Sequence, residues 1–271
     1  MIYRPSSSSL WEKILRGSFL ASVLFLGHSL SGAQPAEIRI TQVVKNVKLL
    51  APQVAPRVAV VDDKVRDNSG IRTGPGARCE LTFADQAIAR LGANSLLEFS
   101  EGTQTMNLGE GAMLFQIPKG VSGAKIKTAA ITVSSTGATG IIERHGKFYI
   151  KFLLLEGEAR LYMADQIGES VLVHAGQILI TKPGATALPD PAHFDIARMM
   201  KTCRLVSEFR PLPSKDLIKV EEQKQTSLTS LGTYVPSNLV IFGRGTLVSL
   251  VQPEPPARSE RKTATNRQPT N

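Results

Sequence analysis

Four side chains of the type that binds Ca²⁺, Asp62, Asp63, Asp67 and Asn68, crowd one short stretch of the chain. They lack the D-x-D-x-D-G loop and the distal glutamate that a calcium loop needs. A solvated turn accounts for them more simply. Beyond the first 33 residues the histidines are His145, His174 and His193, and none has metal-ligand spacing such as H-E-x-x-H. Ser134-Ser135-Thr136-Gly137-Ala138-Thr139-Gly140 is rich in hydroxyls but forms neither a G-x-S-x-G elbow nor a phosphate loop. A serine nucleophile there would need a histidine brought close by the fold. Glu156 and Glu158 flank Gly157, and Glu98 and Glu101 flank a strand end. Paired carboxylates at about 5 to 9 Å run acid–base chemistry, yet glutamates beside turns do the same structural job without catalysis. The sequence therefore predicts no catalytic residue, no metal ligand and no cofactor.

The elements that carry these residues read as β. From Val65 to Phe99, short apolar alternations are cut by Gly, Asp and Asn. Cys79, Leu81 and Phe83 alternate with Arg78, Glu80 and Thr82, the period of two that turns one face of a strand inward. Further strands are expected at Ile38–Leu50, Val58–Val61, Ala77–Phe83, Ala87–Leu91, Ser95–Phe99, Thr105–Leu108 and Ala112–Gln116. Lys125–Lys127, Ile131–Val133, Phe148–Leu155, Glu158–Met163, Val171–His174 and Gln177–Thr181 complete the set. In this reading Glu156-Gly157 is a turn. Strands every 8 to 12 residues predict a mainly β fold over residues 37–184, a β-sandwich, a roll or a β-solenoid. Unequal spacing excludes a strict repeat.

Residues 190–251 change character. Phe194, Ile196, Met200, Leu205 and Phe209 approximate helical spacing, so one helix is expected over His193–Phe209. Asp216–Lys224 reads as a short charged segment, and Leu239–Phe242 with Leu247–Val251 reads as a hairpin. Residues 252–271, rich in Pro, Arg, Ser, Thr and Asn, have too little apolar surface to fold and are expected as a disordered basic tail.

At the other end, Lys13 and Arg16 precede the apolar run Gly17–Leu30 and then Ser31-Gly32-Ala33. That is the pattern of a signal peptide over residues 1–33, leaving Gln34 first after cleavage. Export to the periplasm or beyond follows; without cleavage the run would anchor the chain in the inner membrane. Loss of Arg4, Glu12, Lys13 and Arg16 would lower the net charge from +9 to +7 (three cations and one anion removed). The two cysteines, Cys79 and Cys203, are an even count that an exported protein can bridge, though Cys79 also fits an inward strand position as a free thiol.

The order of motifs between Val65 and Gly176 resembles the FecR domain family. Ile71-Arg72-Thr73-Gly74 is similar to the family's opening turn, and Ala77–Asp85 to its first hairpin. Ile88–Ser95 is similar to its R-L-G-x-x-S element. Leu108–Gly111, Leu155–Glu158 and His174–Gln177 resemble later turns, whereas Thr136–Gly140 departs from the usual Arg-Gly-Thr-x-Phe. The resemblance implies an extracytoplasmic β domain of the sensor and regulator class. Its best-known members also carry a cytoplasmic anti-sigma segment and one membrane span. The 16 residues before the apolar run are too few for that segment, so the full relay is not expected.

The expected function is a non-enzymatic, exported interaction or signalling module of the cell envelope. The alternative is an envelope structural protein that binds an anionic polymer. Partners would be a protein or an envelope polymer rather than nucleic acid, and a chain with its signal cleaved would have no transmembrane span. Arg72, Thr73, Gly74, Arg90, Leu91 and Gly92 are the candidate contact residues.

Overall fold

The computed structural model describes residues 37–100, 105–121, 123–164 and 168–228, all in the compact unit Ala36–Asn271. The expected signal peptide, Glu101, the hairpin at 239–251 and the basic tail lie outside the described residues. The strands are β1 (Ile38–Val44), β2 (Val47–Leu50), β3 (Arg57–Val58), β4 (Lys64–Val65), β5 (Gly70–Thr73), β6 (Arg78–Phe83), β7 (Ile88–Leu91) and β8 (Leu96–Phe99). They continue as β9 (Thr105–Ile117), β10 (Ala124–Lys127), β11 (Ile131–Ser135), β12 (Ala138–His145), β13 (Tyr149–Met163), β14 (Ser170–His174), β15 (Gln177–Thr181) and β16 (Ala192–His193).

The strands form two layers. The first runs β4-β1-β6-β7-β9-β12-β13-β15-β16. The second runs β3-β2-β5-β8-β9-β10-β11-β13-β14. Two long strands belong to both: β9 crosses between layers near Gly111, and β13 near Gly157. The circuit β9-β12-β13-β11-β10 closes back on β9. Of the expected alternatives, the molecule is thus a closed, barrel-like roll. Pairing is antiparallel except between β9 and β10.

The two crossings correct the expectation of turns there. Both glycines have positive φ, +88° at Gly111 and +83° at Gly157. A Cβ on Gly111 would lie 2.5 Å from the Ser95 Cα, and one on Gly157 would lie 2.9 Å from the Ala138 Cα. The chain bends rather than reverses, because the strand finds a new partner on the far side of the bend. Ser95 holds the first corner: its Oγ donates to the Ala112 carbonyl at 3.2 Å and accepts from the Ala112 amide at 3.0 Å.

Alternation sorts side chains between the interior and the outer faces. Ile38, Ile71, Leu97, Leu108, Phe115, Ile142, Phe152 and Leu161 fill the space between the layers. Phe115 and Phe152 stack there at 6.1 Å. The outer face of the first layer is covered by three helices, α1 (Ile196–Thr202), α2 (Arg204–Ser207) and α3 (Lys215–Leu228). A second apolar cluster seals this contact, pairing Leu114, Ile141, Leu153, Leu155 and Ile178 with Phe194, Ile196, Met199, Leu205, Leu212 and Ile218.

The single helix expected over 193–209 is divided. Asp195 caps α1 by accepting from the Arg198 amide at 2.9 Å. Cys203, in an extended conformation, ends α1 and starts α2. The charged segment at 216–224 lies within α3, whose buried contact is narrow: Ile218 is covered while Leu217 and Val220 are exposed. Of the expected Val58–Val61 strand only Val58 pairs, as the end of β3 (Arg57–Val58), and Val60 and Val61 are exposed.

Candidate functional site

The two outer faces differ in what their alternate residues do. On the first layer, Glu80 of β6 and Arg90 of β7 stand directly opposite each other and point toward the helices. The Arg90 Nε donates to Glu80 Oε2 at 2.8 Å. Its Nη1 donates to the Leu205 carbonyl at 3.1 Å, its Nη2 to the Arg210 carbonyl at 2.6 Å, and the guanidinium lies 4.8 Å from the centre of the Phe209 ring. Arg90 is 1% exposed. Burial lowers its pKa, while the Glu80 carboxylate opposes that shift. A guanidinium engaged by one carboxylate and two carbonyls is a clamp on the chain's own helices.

Neighbouring polar contacts strengthen the clamp. Arg78 pairs with Glu208, which also accepts from Arg204 Nε at 2.7 Å. Arg204 foremost, with help from Arg78, holds the Glu208 carboxyl below its ordinary range. Thr139 donates to Ser214 Oγ at 2.7 Å. The Gln225 side chain bonds the Phe194 carbonyl at 2.6 Å and the Ile196 amide at 3.0 Å.

Of the expected contact residues, only Arg72 presents its side chain outward on an exposed strand position. Arg90 and Leu91 are buried, and Thr73 is 2% exposed. Thr73 is a stitch: its hydroxyl donates to the Gly92 carbonyl at 2.6 Å and accepts from the Ser95 amide at 2.8 Å. Gly74 and Gly92 are half-buried at the same turn, where the Gly74 amide donates to the Asn46 carbonyl at 2.9 Å. Burial takes Thr73, Arg90 and Leu91 off the external surface, Arg90 beneath the covering helices.

Both cysteines are free thiols, which corrects the possible bridge. Cys79 sits in the interior between the layers, and Cys203 packs beside the helical cluster, so the first layer separates them. Burial pushes the Cys79 thiol up to about 12, far from the thiolate that reacts at neutral pH.

The other candidate chemistry is also engaged locally. Asp63 accepts from both Arg57 terminal nitrogens, at 2.7 and 2.8 Å, and from the Val60 amide at 2.9 Å. Arg57 first, then the amide, draws its carboxyl below the usual range. The corner at Gly157 separates the two glutamates. Glu156 is buried beside Lys119 at 3.5 Å, whereas Glu158 is exposed and faces His174 at 3.1 Å. His145 stacks on Tyr149 at 5.6 Å at the β12–β13 tip, and His193 lies exposed on β16. No group of His, Cys, Asp or Glu among the described residues is arranged to hold a metal.

The outer face of the second layer has no covering element among the described residues. Lys48, Arg72, Lys125, Lys127 and Arg160 all point outward from it. Lys48 and Arg72 stand directly opposite in the β2–β5 register, a like-charge pairing that destabilises a sheet. Lys125 and Arg160 share a cross-strand row through Ser134; Lys127 and Tyr162 share the next row through Thr132. Residues 69–160 match the FecR protein family. The FecR match takes in Arg72, Lys125, Lys127 and Arg160 together with the Glu80–Arg90 pair. It excludes Lys48 and every helix that Arg90 holds.

Two crystal structures of a candidate anti-sigma factor from Parabacteroides distasonis ATCC 8503, at 1.65 and 2.50 Å resolution, are similar to the chain. Each shares 10% identity and aligns over 51% of this chain and 74% of its own, with a TM-score of 0.40. No curated protein matches the chain. Among the described residues no helix is long and apolar enough to cross a membrane.

The surface residues Lys48, Lys125, Lys127, Arg160 and Tyr162 escaped the sequence reading as a group. A lysine alternating with Ile126 was legible as outward, but its convergence with Arg160 depends on β11 pairing with both β10 and β13.

Proposed function

We propose that the chain is a non-enzymatic, exported FecR-type interaction module that serves regulation or signalling in the cell envelope. One observation carries this reading: one outer face of the roll is covered by the chain's own helices, and the other is basic and has no covering element among the described residues. A scaffold that covers one face and leaves five cations on the opposite one is suited to receiving a partner rather than transforming a substrate. The first 33 residues support export, with the working location periplasmic or secreted. Residues 37–184 form the β domain of this reading, and the helices that follow are its cover.

Photo-crosslinking groups placed in the full-length protein at Lys125 and Arg160, and separately at Arg198 and Val220 on the helices, test the assignment in envelope preparations. Adducts are expected from the first pair of positions. Adducts from the helical positions alone would contradict it. The intact mass of the recovered protein tests export: a chain beginning at Gln34 is expected, and one retaining residues 1–33 would mean an N-terminal anchor.

A further inference from the structure

We infer that the corner of the second layer built by Lys125, Lys127, Arg160 and Tyr162 binds a linear acidic polysaccharide bearing carboxylates. The inference rests on the bare face being the working surface and specifies its ligand. The register fixes the geometry. Lys125, Ser134 and Arg160 form one row, and Lys127, Thr132 and Tyr162 form the next. Strand neighbours are about 4.8 Å apart and alternate residues about 7 Å apart, so three cations and one aromatic ring mark the corners of a patch about 7 by 10 Å. Short hydroxyl side chains, Thr132 and Ser134, lie between them.

Each feature narrows the ligand. Lys125 and Lys127 have no acidic partner among the described residues, and Arg160 has only the Ser170 hydroxyl at 3.3 Å. Among the described residues the neighbouring acids bond to other groups: Glu158 faces His174, and Glu98 accepts from Asn107 at 3.2 Å. The patch therefore favours an anion supplied from outside. It is an open sheet surface, which suits a chain lying across it rather than a small molecule that needs enclosure. Tyr162, 41% exposed, stands in the row next to Lys125 and Arg160 and directly across from Lys127 through Thr132. The apolar face of a sugar ring packs on such a surface, and the hydroxyls between the cations match those of a glycan. A single aromatic gives no succession of platforms for nucleobases. At this corner Leu172 is the exposed aliphatic neighbour, and the exposed Val54, Val58, Val60 and Val61 lie at the far, β3 edge of the layer, so the corner itself gives little apolar surface for a membrane to receive.

Affinity electrophoresis of the full-length protein tests this with polygalacturonate as the acidic glycan, dextran as the neutral one and polyglutamate as an acidic chain without sugar. Retardation is expected in polygalacturonate, with none in dextran and less in polyglutamate. Lys125→Gln with Arg160→Gln should weaken polygalacturonate binding about tenfold, and these changes keep the strand side chains long enough to preserve the fold. Tyr162→Ala should weaken it about threefold to tenfold while leaving the polyglutamate mobility unchanged. Equal retardation by polygalacturonate and polyglutamate, with Tyr162→Ala affecting neither, would overturn the inference in favour of a nonspecific cationic patch. Retention of polygalacturonate binding by the double glutamine variant would place the contact elsewhere and also overturn it. A protein crosslinked at Lys125 with no glycan binding would overturn this inference alone, leaving the interaction module standing.

Discussion

The first-layer face and the second-layer face are made of the same alternating strands, yet they spend their charged residues in opposite ways. Arg90 is buried, paired with Glu80 and capped by two helix-region carbonyls. Arg72 and Lys125 are exposed and lack a carboxylate partner among the described residues. The physics separates them cleanly. A buried guanidinium must satisfy its donors or forfeit several kcal/mol, so Arg90 is committed to structure. Exposed cations contribute little to stability, so Arg72 and Lys125 are free to be used. Within one β domain, position relative to the helices decides whether an arginine holds the fold or stays exposed to solvent.

The contrast is broken most severely at its buried end. Arg90→Met leaves Glu80 buried without its cation, and about 3–5 kcal/mol of stability is expected to be lost, read as a fall in the denaturation midpoint. If that loss is under about 1 kcal/mol, the same as for a surface pair, the clamp is not what closes the face. Gly157→Ala comes next. It combines a positive φ with overlap on Ala138, and a loss of about 1–3 kcal/mol follows from the backbone conformation alone. A variant as stable as the parent would mean that β13 does not bend there.

A pH experiment sharpens the same contrast. Burial raises the Glu156 carboxyl above its ordinary value, with Lys119 opposing the shift. The stability linked to this proton is fully present below the unfolded carboxylate range and is lost as pH rises through the raised folded value. Glu156→Gln should therefore raise stability at pH 7 and leave it unchanged in acid, which denaturant titrations at the two pH values would show. A loss at pH 7 would mean that the pairing with Lys119 outweighs desolvation. The smallest expected effect lies on the bare face: Lys125→Glu with Arg160→Glu should change stability by no more than about 0.5 kcal/mol, measured by the same unfolding curves.

How much of this was legible in the sequence follows from the range of the interactions involved. The β class, the positions of most strands and the outward alternation at Lys125 and Lys127 depend on neighbours two residues apart, and a period of two carries them. The corners at Gly111 and Gly157 were visible only as glycines. A glycine with positive φ ends a hairpin strand or bends a long one, and the choice is made by partners such as Ser95 and Ala138. The sequence offers Arg90 as a contact residue because it sits at the end of an expected strand, beside Leu91 and Gly92. Its true partners are the carbonyls of Leu205 and Arg210, more than a hundred residues away, and nothing local encodes them. The helix α3 was hidden for a related reason: one buried isoleucine gives too narrow an apolar stripe for a helical period to stand out.

The central claim is that the bare basic face does the binding while the helix-covered face only holds the molecule together. Its most direct test is the affinity of the full-length protein for an envelope fraction, compared between the parent, the triple variant Lys125→Glu, Lys127→Glu, Arg160→Glu, and a chain lacking residues 252–271. The account predicts a loss of about tenfold or more in the triple variant at an unchanged unfolding midpoint, with most of the affinity kept when the tail is removed. Full affinity in the triple variant, or its disappearance with the tail alone, would contradict it.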